Sequence, residues 1–184
     1  MVKLNEVKIG NEQIPEHYLI GKRHLTDDEI TILKKNGNNN VDSSWQNFYV
    51  SKEEGAFNPE LIHSTLFSGF IILGKVQPVE LQYNDLHLLC GIQNSRVSNI
   101  VVGDHCAIRD VHYLDNYILG ERVILFNVQE MCCTNHAKFG NGILKEGEPE
   151  EHRVWIGIAN ENEGRAVLPF EDMIPADAYL WSHY

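Results

Sequence analysis

A repeat near 17 residues constrains this chain more than any other feature. Val102-Gly103-Asp104 aligns with Leu119-Gly120-Glu121, and the same offset of 17 aligns Ile108 with Leu125, Asp110 with Asn127 and Val111 with Val128. An offset of 16 brings Ile92-Gln93-Asn94-Ser95 into the column of Ile108-Arg109-Asp110-Val111, and Ile62-His63-Ser64-Thr65 fits that column 30 residues earlier. The surplus over one period falls at Gly74–His87, which reads as an inserted loop or hairpin. Divided by three, the period gives sides of roughly six residues, each one short strand and one corner. Three such sides close a triangular coil, and successive coils stack by parallel strand pairing at about 4.8 Å.

Within each side the first, aliphatic residue points inward, and so does the small fifth residue. Leu119-Gly120-Glu121-Arg122-Val123-Ile124 fits this pattern. Val102-Gly103-Asp104-His105-Cys106-Ala107 fits it with Cys106 as the small inward residue, a place where a free thiol acts as a small hydrophobe. Gly103 and Gly120 are expected to relieve crowding or to permit positive φ at corners. His105 takes an outward position. His112 takes the fifth, inward slot of the side that starts at Ile108, where it reads as a polar corner; Gln129 holds that slot one coil later.

Three segments flank the repeat. Ile9, Ile14, Tyr18 and Leu19 supply an apolar arm in which Pro15 precludes an early helix. Thr26-Asp27-Asp28-Glu29 is a capping box, followed by Leu25, Ile30 and Leu33 on one side and by the stop signal Asn36-Gly37. Acids in its first turn and Lys34-Lys35 in its last suit the helix dipole, so residues 26–36 are expected to form a short docked helix. Trp45 to Val50 is a strand or an irregular packed segment. Val154–Ile158 and Ala166–Leu168 flank Asn162-Glu163-Gly164 as a hairpin, and Ile174–Trp181 reads as a helix with Pro175 in its first turn. The expected organisation is an arm and helix over residues 1–57, a β-helix over 58–144 with its insertion near 74–87, and an acidic hairpin and helix over 145–184. The fold class is mainly β: a single-stranded left-handed parallel β-helix with short N-terminal and C-terminal helices.

Charge narrows the partners. Fifteen Lys and Arg against 26 Asp and Glu leave a net charge of −11, which disfavours nucleic acid and anionic membrane as partners. No apolar run approaches the length of a membrane span, and the first ten residues lack the apolar core of a secretion signal, so a cytoplasmic protein with four reduced cysteines is expected. No phosphate-binding loop, dinucleotide fingerprint or serine-nucleophile elbow is present in the sequence.

The hexads resemble those of the hexapeptide-repeat left-handed β-helix superfamily. A wider resemblance runs through Arg23-His24-Leu25-Thr26, Trp45, Phe57-Asn58-Pro59, Phe67-Ser68-Gly69, Ile72-Leu73-Gly74, Gly91-Ile92-Gln93-Asn94-Ser95, Phe139-Gly140-Asn141-Gly142, Asn160-Glu161 and Gly164-Arg165. It is similar to the N-terminal part of an uncharacterised bacterial β-helix family of Bacteroides-like bacteria and spirochaetes, a domain of unknown function whose members are considerably longer. That resemblance implies a fragment of a longer chain and carries over no catalytic residues. The superfamily resemblance implies a homotrimer, acyl-CoA as a donor, and a transferase acting on a sugar or sugar-nucleotide acceptor.

Two classes of function follow. In the first, His136 is the general base of a transferase, Glu130 orients it, and Asn135, Asn141 and Arg165 hold the substrate. Glu130 to Gly142 breaks the hexad rule and concentrates reactive side chains on a loop leaving a rigid scaffold, where sites tend to sit; it also reads as a plain crossing loop. In the second class the chain is a non-catalytic assembly or binding module, contacting the rest of a longer chain or a small-molecule ligand. A zinc site would need three imidazoles about one coil apart; His87 and His105 are 18 apart with His112 or His136 as a third, but the insertion before His87 breaks the register such a site requires. Cys132-Cys133 lacks metal spacing and reads as packed or surface thiols. The acids Glu146, Glu148, Glu150, Glu151, Glu161, Glu163, Glu171 and Asp172 read as a solvated coat.

Overall fold

A computed structural model of the chain describes residues 6–9, 12–134, 149, 151, 156–157, 166–167 and 172–183. In chain order the elements are β1 (Glu6–Ile9), β2 (Glu12–Pro15), β3 (Lys22–His24), α1 (Asp27–Lys35), β4 (Asn39–Asn40), β5 (Phe48–Ser51), β6 (Ile62–His63) and β7 (Leu66–Leu73). Then come β8 (Glu80–Tyr83), β9 (Leu86–Leu89), β10 (Gly91–Gln93), β11 (Arg96–Val102), β12 (Ala107–Arg109), β13 (Leu114–Leu119), β14 (Ile124–Phe126) and β15 (Met131–Cys132). β16 (Ile156–Gly157), β17 (Ala166–Val167) and α2 (Pro175–His183) complete the series. The protein is mainly β, with few helices.

Two parallel ladders carry the repeat. In the first, β6, β10, β12 and β14 stack side by side and align Ile62, Ile92, Ile108 and Leu125. In the second, β7, β11, β13 and β15 align Phe67, Val97, Leu114 and Met131. Val102 pairs with Leu119 and Ile108 with Leu125, one rung apart in each case. Ile62, Phe67, Ile71, Val97, Ile100, Ile108, Val111 and Leu114 are wholly buried in one continuous core, where each large apolar side chain contributes about 1.5–3 kcal/mol relative to exposure. Cys106 joins this core, and Val123, at the same slot one rung on, packs against it.

The two offsets now have a physical origin. Ile92 and Ile108 are 16 apart in register, whereas Val97 and Leu114 are 17 apart. One extra residue therefore enters between Val111 and Leu114. Val111 stays opposite Ser95, whose Oγ accepts its N–H at 3.2 Å, and the surplus bulges outward. The inward slot expected for His112 belongs to Val111, which is fully buried while His112 is exposed.

Positive φ marks the corners. Ser64, Asn94, Asp110 and Asn127 lie at φ of 48, 47, 54 and 54°; Gly69, Asn99 and Asn116 at 64, 47 and 58°; His105 and Arg122 at 55 and 56°. These residues cut each period into three extended segments. Asn and Asp tolerate the left-handed region because their short polar side chains bond locally. Gly103 and Gly120 do not take positive φ, which falls instead on His105 and Arg122 two residues later. Crowding explains Gly103: a Cβ there would lie 2.6 Å from the Gly120 carbonyl, a contact real side chains do not make.

The N-terminal region extends the second ladder. β5 and β4 pair with β7, and β3 pairs antiparallel with β5. The capping box of α1 is formed, with the Thr26 hydroxyl accepting the Glu29 N–H at 3.2 Å and Glu29 accepting the Thr26 N–H at 2.9 Å. Leu33 anchors the helix, and buried Asn38 ties its end to the first rung. The Asn38 amide donates to the Leu33 and Ile62 carbonyls at 2.9 and 2.7 Å, and its oxygen accepts the Thr65 N–H at 3.0 Å. β1 and β2 form an antiparallel hairpin whose Ile9 and Ile14 pack on Phe70, Ile72 and Val101.

The insertion is an antiparallel hairpin, β8 with β9, turning at Asn84 with φ of 50°. Residues Met1–Thr134 form one compact unit and Asn135–Tyr184 a second. In the second, β16 and β17 pair antiparallel, and α2 begins at Pro175 with Asp177 accepting the Ile174 N–H at 2.9 Å. Among the described residues no helix is long and apolar enough to cross a membrane.

Candidate functional site

Strand alternation creates an outward apolar face on the first ladder. Ile108 and Leu125 point inward, so Ala107, Arg109, Ile124 and Phe126 point out. The β8–β9 hairpin folds back over that face. Leu81, Leu88 and Ala107 form a small second core there, with Val79, Leu86 and Ile124 packed at its margin. The cover is partial. Gln82, Tyr83 and Leu86 of the hairpin and Arg122, Ile124 and Phe126 of the coil line an open groove of about 540 Å3. Tyr83 and Phe126 are 68% and 47% exposed, a large apolar area to leave in water.

Polar groups in and beside the groove are sparse and placed by the backbone. Gln82 donates to the Asn84 carbonyl at 3.1 Å, which holds its amide over the turn. Arg122 sits on a positive-φ corner anchored by its own N–H to the Asp104 carbonyl at 2.8 Å. Arg109, the ladder partner of Phe126, donates from Nη2 to the Leu89 carbonyl at 3.2 Å, while its Nε is buried without a partner among the described residues. His87 lies on the hairpin's far strand, 3.6 Å from Glu80, with both side chains exposed.

A second concavity of about 430 Å3 runs along α1, lined by His24, Leu25, Asp27, Ile30, Lys34, Trp45 and Gln46. A third patch lies where the second ladder ends. Arg96 stands 5.5 Å over the Tyr113 ring, and the Cys132 thiol is 4.0 Å from Asp115. Desolvation, then the Asp115 charge and hydrogen bond, push the Tyr113 phenol above its ordinary value. Desolvation and the charges of Asp115 and Glu130 push the Cys132 thiol up as well. These neighbours suppress the thiolate, the reverse of what a nucleophilic cysteine needs.

Of the site residues expected from sequence, Glu130 is exposed just before β15. Asn135, His136, Asn141 and Arg165 lie outside the described residues, as do the acids from Glu146 to Glu171 other than Glu151. His105, expected on an outward position, is half-buried at its corner with Nδ1 enclosed and unpartnered among the described residues. His87, His105 and His112 do not converge: among the described residues no three His, Cys, Asp or Glu side chains come together as a metal site. The groove residues Tyr83, Leu86, Arg122, Ile124 and Phe126 were not singled out from the sequence. A signal existed: Val123-Ile124-Leu125-Phe126 is a run of four apolar residues, and in the strand Ile124–Phe126 alternation turns Ile124 and Phe126 to the outside.

The profile of a family described as Domain of unknown function (DUF4954) matches residues 22–184. A protein of Treponema pallidum (strain Nichols), described as "Uncharacterized protein", is 39% identical over 160 residues. The match covers 87% of this chain and 21% of that protein, so the chain spans about a fifth of the length of the curated relative it matches. No solved structure matches.

Proposed function

The chain belongs to the DUF4954 family, and from that premise we propose that it is a left-handed parallel β-helix serving as a ligand-binding module of a longer protein. The repeated rungs and the three positive-φ corners per period support the coil, and its left-handed sense and tie to the hexapeptide-repeat superfamily come from the hexad resemblance. The observation that carries the binding role is the hairpin over the first ladder, which walls a concave apolar groove with one cation at its edge. Such concavities with few polar groups are where small ligands bind. The free thiols suit a reducing, cytoplasmic setting.

A thermal-shift screen of the purified chain against acyl-CoAs, sugar nucleotides, small organic acids and divalent metals tests this reading. A ligand that binds only the folded form raises the melting temperature. The expected result is a hit whose shift disappears in a Tyr83→Ala/Phe126→Ala variant that keeps the unliganded melting temperature. Hits that ignore this variant remove the groove from the function.

The transferase reading is kept as a second proposal, because Glu130 stands exposed immediately before β15, the last strand of the second ladder among the described residues. In it, His136 is the base, Glu130 orients it, Asn135, Asn141 and Arg165 hold the acceptor, and acyl-CoA is the donor in a groove of a homotrimer. Acyl transfer that survives His136→Ala, or a monomer by light scattering, counts against it.

A further inference from the structure

The groove has a chemistry specific enough to name a ligand class. Tyr83, Leu86, Ile124 and Phe126 supply apolar walls, and two of these are aromatic faces on which a flat ring can stack. The groove's volume of about 540 Å3 admits a one- or two-ring molecule. Arg122 is the lining residue that carries charge, and among the described residues it makes no ion pair. A second guanidinium, Arg109, is the ladder neighbour of Phe126, and its buried Nε is unpartnered among the described residues. Two arginines thus stand beside one apolar groove. The planar guanidinium fork matches a carboxylate in two parallel hydrogen bonds.

We propose that this groove binds a small aromatic carboxylate, its ring against Tyr83 and Phe126 and its carboxylate on Arg122. The inference rests on the binding-module reading and sharpens it. One cation in the lining suits one negative group, and the open apolar walls favour a ring over an aliphatic chain because aromatic pairs gain beyond area burial.

Amide-resolved NMR titration of the whole 184-residue chain tests it, with phenylacetate as probe and benzyl alcohol and acetate as controls. Phenylacetate is expected to move the Tyr83, Leu86, Arg122, Ile124 and Phe126 amides saturably. Benzyl alcohol, lacking the charge, and acetate, lacking the ring, should each bind at least tenfold more weakly. Arg122→Asn removes the cation and suits the positive-φ corner, so its unliganded spectrum should overlay the parent's. It should weaken phenylacetate at least tenfold and leave benzyl alcohol unchanged, whereas Phe126→Ala should weaken both. Equal binding of benzyl alcohol and phenylacetate, or an unchanged affinity in Arg122→Asn, overturns the carboxylate class while leaving a groove that binds ligands. No saturable shift at these amides with phenylacetate overturns the inference outright, and the thermal-shift screen judges the module reading separately.

Discussion

The Asn94 side-chain amide donates to the Asp110 carboxylate at 2.6 Å, and both residues occupy left-handed backbone at matching corners of consecutive rungs. The next corner repeats the device one residue out of step: Asn99 donates to Asp115 at 3.0 Å, and its Oδ1 reaches back toward the Phe70 N–H at 3.4 Å. Both corners are thus clipped to the neighbouring rung by their own side chains. Asn94→Ala should cost about 1–2 kcal/mol for the left-handed backbone and about 1 kcal/mol for the lost hydrogen bond. Asn94→Gly, which loses only the bond at the corner, should be the milder change. Thermal denaturation should rank the parent above Gly and Gly above Ala; equal losses would contradict the role given to φ.

Three glycines of the ladders carry unequal weight. Gly91 has φ of 136°, and a Cβ there would strike the Leu61 carbonyl; Gly103 has ordinary φ but its Cβ would press on the Gly120 backbone. At Gly120 nothing among the described residues lies within 4 Å. Gly91→Ala should be the most damaging, at about 3 kcal/mol or more from strain and overpacking together. Gly103→Ala should cost about 1–3 kcal/mol, and Gly120→Ala less than about 0.5 kcal/mol. Chemical denaturation of the three variants checks the order.

Acid should loosen the N-terminal helix through Glu29. Burial pushes its carboxyl up, but the Arg23 hydrogen bond, the Thr26 N–H, the Arg23 charge and the Thr26 hydroxyl together hold it below its usual value. Two bonds to Arg23, at 2.8 and 2.7 Å, form a bidentate pair. A depressed carboxyl gives stability that is present above the ordinary glutamate value and is lost as pH falls through the lower, folded value. Melting temperature should therefore drop across that acidic window, and Glu29→Gln should flatten the drop while lowering stability near neutrality by about 1–2 kcal/mol. An unchanged pH profile in Glu29→Gln would exclude this residue as the source.

The four thiols should separate into two classes. Cys90 and Cys106 are buried, and desolvation raises both, Cys90 to about 11. Cys132 is exposed and Cys133 partly so. A thiol-specific chromophore should titrate two cysteines in the folded chain and four in denaturant. Because desolvation and then the Asp115 charge raise the Cys132 thiol, Asp115→Asn should speed its reaction at neutral pH.

Much of this fold was legible because it is local or periodic. The capping box at Thr26 and Glu29 depends on four consecutive residues, and the pairing of Val102 with Leu119 follows from a repeat that any aligned core must keep. What stayed hidden depends on single residues or distant partners. The extra residue near His112 shifts one face and not the other, so two offsets coexist and the hexad rule misassigned His112. The pairing of β3 with β5 joins segments about 26 residues apart with no shared period. The groove escaped notice because half of it comes from the hairpin and half from β14, and only the fold brings Tyr83 to Phe126.

The hairpin leaves and re-enters the coil at one corner: Leu73 pairs with Val102 before it, and Gly91 pairs with Ala107 after it. The circuit consequently does not register how long the excursion is. Loops of other lengths could be spliced at this point without altering a single rung, and closing such a detour costs only slowly more as it grows. A scaffold of this kind can exchange its recognition element as a cassette, and divergence in what it recognises would concentrate in the hairpin, residues 80–89, while the stacked columns stay fixed.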